Sequence, residues 1–232
     1  MDFQPGKFLD FEETDHPDLF EGIDRVWDAL PEIRNYLGSM LSLISSEEDR
    51  ISGEVHPRAE VGPDVFIGDG AVVEANAVIK GPAWIGSGTT IRSGAYLREN
   101  VIVGNDCTLG NSSEFKNCIL FNRCEVPHFN YVGDSILGYK AHLGAGVICS
   151  NVRLDRSAVR LRLEDGSTLD TGLRKFGAIV GDFTEVGCNS VLSPGTILGR
   201  NGIVYPLTSW TGILGENQIV KNRSQLEIVD RD

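Results

Sequence analysis

The chain reads as an all-β protein: a left-handed parallel β-helix of hexapeptide repeats, preceded by a short helical segment and interrupted by a hairpin. Three observations predict it. An aliphatic or aromatic residue returns at every sixth position: Val55, Val61, Ile67, Val73, Ile79, Ile85, Ile91, Leu97, Val103, Leu109, Phe115 and Phe121. That period fits neither a helix nor a flat ribbon, but it fits a chain that turns a corner every six residues and stacks each turn on the last. Two residues before each periodic position the side chain is small or modest, from Ala59 through Ala77 and Ala95 to Ser113, as a narrow interior requires. The following residue is often glycine, as at Gly62 and Gly110, where a corner needs unusual backbone angles. Burying each Val, Ile or Leu contributes about 1.5–3 kcal/mol, so the register outweighs local propensity.

The elements follow in order. Residues 1–17 are acidic and irregular and read as a loose lead-in. Between 18 and 46, Val26, Trp27, Leu30, Ile33, Leu37, Leu41 and Ile44 recur at steps of three and four, which predicts helix, divided in two at Pro31. This N-terminal segment occupies 1–50, and the β-helix occupies 51–215. The hexads run to about Asn151, with intervals of five near 125–137, and break over 152–178. There the run from Ser157, followed by Asp165-Gly166, predicts a protruding hairpin. Hexads resume at Val180, Val186, Leu192, Leu198 and Val204, and 216–232 is a polar tail.

Composition narrows the function. A net charge of −12 over 232 residues argues against nucleic acid or an anionic membrane as partner. No signal peptide opens the sequence and no apolar run is long enough for a bilayer. The five cysteines form no CxxC pair and read as reduced thiols in a cytoplasm. His16, His56, His128 and His142 lack metal-ligand spacing, so no metal is expected. A zinc hydrolyase of the γ-carbonic-anhydrase kind needs three suitably spaced histidines, and only His128 and His142 lie in the right region.

Three hexads make one turn, so residues 18 apart stack. Lys80, Arg98 and Lys116 satisfy that spacing and would line up about 4.8 Å apart. A bound phosphate would relieve their repulsion, and an arginine can grip one bidentately; neutralisation by Glu99 and Glu114 is the other reading. The second constellation is Pro127-His128-Phe129-Asn130-Tyr131-Val132-Gly133-Asp134, where the register slips. A histidine there can take a proton from an amine or hydroxyl, although it can equally be structural, and Tyr131 can simply pack its ring.

Arg98, Glu114-Phe115-Lys116, His128-Phe129-Asn130-Tyr131-Val132-Gly133-Asp134, Leu143-Gly144-Ala145-Gly146 and Ser150-Asn151 together resemble a known family. It is the acetyltransferase domain of bifunctional glucosamine-1-phosphate acetyltransferase/N-acetylglucosamine-1-phosphate uridylyltransferase. The chain is still more similar to archaeal-type sugar-phosphate nucleotidyltransferases that end in a left-handed β-helix, over roughly residues 25–215. The nucleotidyltransferase half of those enzymes, with its glycine-rich loop, is lacking here, so nucleotidyl transfer is not expected of this chain alone.

The resemblance implies N-acetylation of a hexosamine 1-phosphate, with acetyl-CoA as co-substrate. Arg98 and Lys116 would hold the phosphate, and His128 would act as general base. Tyr131 and Lys175 would position the sugar, with Asn151 between sugar and acyl chain. Ala145 and Cys188 would line the pantetheine groove. A homotrimer is also implied. Two positions depart from the bacterial pattern, with His142 replacing asparagine and Cys188 replacing serine. The alternative is a non-catalytic β-helix subunit whose N-terminal helices bind a separate nucleotidyltransferase.

Overall fold

The computed structural model of the protein describes residues 2–46, 48–163 and 165–222. Short parallel strands stack into three faces. The first face starts at Glu54–Val55 and stacks nine strands, the second starts at Glu60–Val61 and the third at Val65–Ile67. The hairpin is the one antiparallel pair among the described residues, Arg160–Arg162 against Thr168–Asp170. The coil is a left-handed β-helix, as the hexads predict.

Its interior is the predicted column, with one correction. Ile67, Val73, Ile79, Ile85, Ile91, Leu97, Val103, Leu109 and Phe115 share one buried cluster, but the next member is Leu120. Phe121 is buried outside the coil, against Phe11 and Phe20. The step shortens to five because the strand Glu114–Leu120 runs without a break around the corner between the second and third faces. The strand Tyr131–Leu137 does the same one turn later, from Val132 to Leu137. Turn-to-turn register therefore drops from 18 residues (Leu97 to Phe115) to 17 (Phe115 to Val132). The hexads resume at Val180 as expected, and the coil continues to Ile219–Val220, beyond the predicted limit. Of the expected tail, 223–232 lies outside the described residues.

The lead-in is a second correction. Phe3, Phe8, Leu9, Leu19 and Phe20 are buried, and 3-10 turns at Pro5–Lys7, Phe11–Glu13 and Pro17–Phe20 present them irregularly. The helical segment is a 3-10 run, Val26–Glu32, leading directly into one α-helix, Ile33–Ser42. Pro31 is tolerated because it precedes the α-helix, where no partner for its missing N–H is needed. These elements bury Trp27, Leu30, Ile33 and Leu37 against the outer surface of the third face. That surface presents Trp84, Ile102, Ile119, Ile136, Ile179, Ile197 and Ile213 in register. Backbone contacts fasten the layer: Asn122 N–H donates to Glu13 O at 3.1 Å, and Asp182 N–H to Phe8 O at 3.0 Å. Val159, Leu161 and Phe176 of the insertion close its edge, Phe176 lying 5.8 Å from Trp27. Among the described residues, no helix is long and apolar enough to cross a membrane.

His16 sits in this outer layer, with Nδ1 3.1 Å from Tyr36 Oη and its ring edge-on to Trp84. Burial holds its imidazole down to about 4, against a partial opposing pull from Asp15 and Asp18. The unfolded chain protonates near 6.5, so between pH 6.5 and 4 it binds more protons and stability falls as pH drops. At about 1.4 kcal/mol per pH unit, His16 accounts for roughly 2–3 kcal/mol between pH 7 and 4.5. Asp182, pushed up to about 6 by burial, has the opposite slope, but it is common to parent and variant. Unfolding free energies of parent and His16→Phe from urea titrations should therefore diverge by that amount on acidification, in favour of the variant.

Candidate functional site

Two corners flank the second face, and the predicted residues divide between them. At the corner between the second and third faces, backbone bonds from Lys80 N–H to Leu97 O and from Arg98 N–H to Phe115 O stack Lys80, Arg98 and Lys116 on successive turns. Each cation already has a carboxylate. Lys80 pairs with Glu60, Arg98 Nη1 lies 3.1 Å from Glu114 Oε1, and Lys116 Nζ lies 3.4 Å from Asp134 Oδ1. Arg98 and Lys80 are solvated pairs of the kind that contributes little to stability. Lys116 and Asp134 are different, their side chains being 13% and 6% exposed.

Asp134 is the centre of this corner. Its Oδ1 accepts from Lys116 and, at 3.1 Å, from Asn117 Nδ2. Its Oδ2 accepts from Asn151 Nδ2, which also donates to Tyr131 Oη at 3.2 Å. Asn117 Oδ1 in turn accepts from Asn100 Nδ2 at 3.3 Å. Asn100, Asn117, Asp134 and Asn151 thus form one ladder at 17-residue intervals, a spacing the 18-residue reading passed over. Asn100, Asn117 and Asp134 have φ of 61°, 47° and 46°, a region where Asn and Asp are the least disfavoured side chains.

Tyr131 lies on the second face beside this ladder, with its ring over Gly133. A Cβ on Gly133 would stand 2.5 Å from the Tyr131 hydroxyl and 2.8 Å from Asn151 Nδ2. Burial first, and then the Asp134 carboxylate, pushes the phenol up, so it remains a protonated hydroxyl at neutral pH. The inserted hairpin leaves and rejoins the coil at the same corner: Phe176 N–H donates to Asn151 O at 3.0 Å, and Gly177 N–H to Asp134 O at 2.7 Å. Lys175, exposed, precedes Phe176 and so stands at the rim of the cluster.

His128 belongs to the other corner. It pairs in register with Asn111, Gly146 N–H donates to its carbonyl at 3.0 Å, and Asn189 N–H donates to Ala145 O at 2.8 Å. His128, Ala145 and Cys188 therefore stand in one column on successive turns. The buried Asn130 braces this corner by accepting from His128 N–H and donating to Gly144 O. The stacked cations and the imidazole therefore stand at opposite corners of the second face, with Tyr131 between them. His128 and Gly133, the residue stacked on Lys116, are five residues apart with a corner at Phe129 (φ 54°) between them, so they are separated by less than the roughly 16 Å of a fully extended chain.

Sequence reading also left two features of the first face unassigned. His142 Nδ1 lies 2.7 Å from Glu185 Oε2. Both residues line a cavity of about 490 Å³ with Arg123 and Lys140, and an adjoining one of about 290 Å³ with Cys188, Tyr205 and Pro206. Gly144 keeps the smaller cavity open, since a Cβ there would stand 2.8 Å from Cys188 N and 3.0 Å from its Sγ.

Comparison with known proteins finds the model of the GMPPB C-terminal domain matching residues 79–171. That interval contains Arg98, Lys116, His128, Tyr131, Ala145 and Asn151, but not Lys175 or Cys188. The chain is 32% identical over 88 residues to the bifunctional sugar-1-phosphate nucleotidylyltransferase/acetyltransferase of Sulfurisphaera tokodaii, covering 38% of this chain and 22% of that protein. It is 37% identical over 86 residues to the bifunctional protein GlmU of Methanococcus vannielii, covering 37% of this chain and 20% of that one. The matched region thus spans about a fifth of those relatives. Among solved structures, a mutant GDP-perosamine N-acetyl transferase from Caulobacter crescentus, in complex with CoA and GDP-perosamine, is 21% identical. It covers 75% of this chain and 62% of its own, with a TM-score of 0.38.

Proposed function

We propose that this β-helix transfers an acetyl group from acetyl-CoA to the amine of a hexosamine 1-phosphate. The observation that carries the reading is the second corner. There Arg98, Lys116, Tyr131 and Asn151 converge on one stretch of surface with Lys175 at its rim, within an interval similar to bifunctional sugar-phosphate enzymes. In this reading Arg98 and Lys116 hold the phosphate, and Tyr131, Asn151 and Lys175 position the ring. Glu114 engages Arg98 at Nη1 and Glu99 lies 3.6 Å from its Nε, so Nη2 is the end left to donate to an anion. Ala145 and Cys188 follow the pantetheine arm along the first corner, and His128 in the same column accepts the proton as the amine attacks the thioester carbon.

A homotrimer fits the same reading. The N-terminal layer covers the third face, so the first and second faces are the ones available to other copies. That layer also weighs against the non-catalytic alternative, because its apolar residues are buried on this chain's own coil and not held out for a separate nucleotidyltransferase.

Release of CoA from acetyl-CoA over a panel of hexosamine 1-phosphates tests the proposal, and folded protein with no turnover on any amino sugar would sink it. Arg98→Ala should raise KM for the sugar phosphate about 10-fold or more, the value of one charged hydrogen bond, with kcat little changed. An unchanged KM would remove Arg98 from the phosphate site.

A further inference from the structure

We propose that His142, held by Glu185, is the general acid that protonates the sulfur leaving from the acyl donor. The inference rests on the acyl-transfer reading above. Glu125, His142 and Glu185 stack in register on the first face, and only Glu185 reaches the ring, at 2.7 Å. A carboxylate on Nδ1–H fixes the orientation of an imidazole and leaves Nε2 for chemistry. His142 lines both of the cavities beside Glu185, the smaller of which holds the Cys188 thiol and the Gly144 floor. Cys188 lies in the column assigned to the pantetheine arm, so a thioester there would bring its sulfur to the wall that His142 forms. His128 stands one turn away, on the acceptor side of the same column, and no described side chain holds its ring.

The two imidazoles then have separate tasks. The amine nitrogen bonds to the carbonyl carbon, and its proton passes to His128. The carbon–sulfur bond breaks, and His142, starting as the imidazolium paired with Glu185, passes its Nε2 proton to the sulfur, giving a free thiol and a neutral imidazole. Both rings return to their starting states by exchange with water.

A general acid matters in proportion to how poor the leaving group is, which supplies the test. The full chain is assayed with a hexosamine 1-phosphate and either saturating acetyl-CoA or 4-nitrothiophenyl acetate, whose leaving thiolate needs no proton. His142→Gln should lower kcat with acetyl-CoA about 100-fold and leave turnover of the aryl thioester nearly unchanged. Glu185→Gln should do the same to a smaller degree. His128→Ala should slow both donors. Equal losses on the two donors for His142→Gln would overturn the proposal while leaving the acyl-transfer reading intact. A parent enzyme inactive on every amino sugar would overturn both.

Discussion

Asp134→Ala is expected to cost about 3–5 kcal/mol of stability, the range for breaking a buried ion pair by deleting one partner. Three donors from the two neighbouring turns, Lys116 and Asn117 on one and Asn151 on the other, converge on this one carboxylate. Removing it leaves the Lys116 ammonium and two amides buried without their acceptor, each with its own desolvation penalty. Alanine at φ 46° adds backbone strain that aspartate tolerates better. Asp134→Asn should be milder. If Asn151 turns its amide so that Oδ1 accepts from the introduced side-chain amide and from the Tyr131 hydroxyl, the ladder keeps its bonds and loses only the charge opposite Lys116. Urea denaturation of parent and both variants checks the ordering. An alanine variant as stable as the parent would mean that the corner is held by the coil's backbone alone.

That corner shows how far the sequence could be read. Hexads describe inward-facing residues well, because a methyl-sized change in a narrow interior is felt along the whole stack. The slip after Phe115 escaped because Phe121 is as apolar as the true inward residue, Leu120, but faces the N-terminal layer. The layer itself left a signal. The middle residues of the third-face strands, Trp84, Ile102, Ile119, Ile136, Ile179, Ile197 and Ile213, are all apolar, whereas the first face shows Thr90, Thr108, Glu125 and His142 at equivalent places. A solvated face would not keep isoleucine in so many consecutive turns, so the covering segment was legible once outward positions were read as carefully as inward ones. The lead-in was obscured because 3-10 turns give its phenylalanines no fixed period.

The predicted site residues split by the kind of signal they left. Stacking by 18 correctly joined Lys80, Arg98 and Lys116, since their strands precede the shortened corner. The ladder that braces Asp134, the partner of Lys116, was missed because beyond that corner the spacing is 17. Asn100, Asn117, Asp134 and Asn151 announce the new period once it is sought. The His142–Glu185 contact carries no such signal. Its members are 43 residues apart, because the insertion intervenes between adjacent turns.

His128→Ala should reduce turnover by about 10²- to 10⁴-fold, the usual worth of a positioned general base, while leaving KM for the sugar phosphate nearly as it was. The separation of the two columns is the reason. The residues proposed to hold the phosphate lie at the far corner of the second face, Lys116 braced by Asp134 and Arg98 by Glu114, whereas His128 is braced independently through Asn130. Deleting an exposed imidazole disturbs neither brace, so the folded state and the sugar-side contacts should survive. Arg98→Ala makes the opposite split, raising KM with kcat preserved, and together the two variants assign binding and proton transfer to different corners. Were His128→Ala to turn over as fast as the parent, the base would have to come from elsewhere on the first two faces. His142, with its carboxylate already in place, would then be the residue to test in that role.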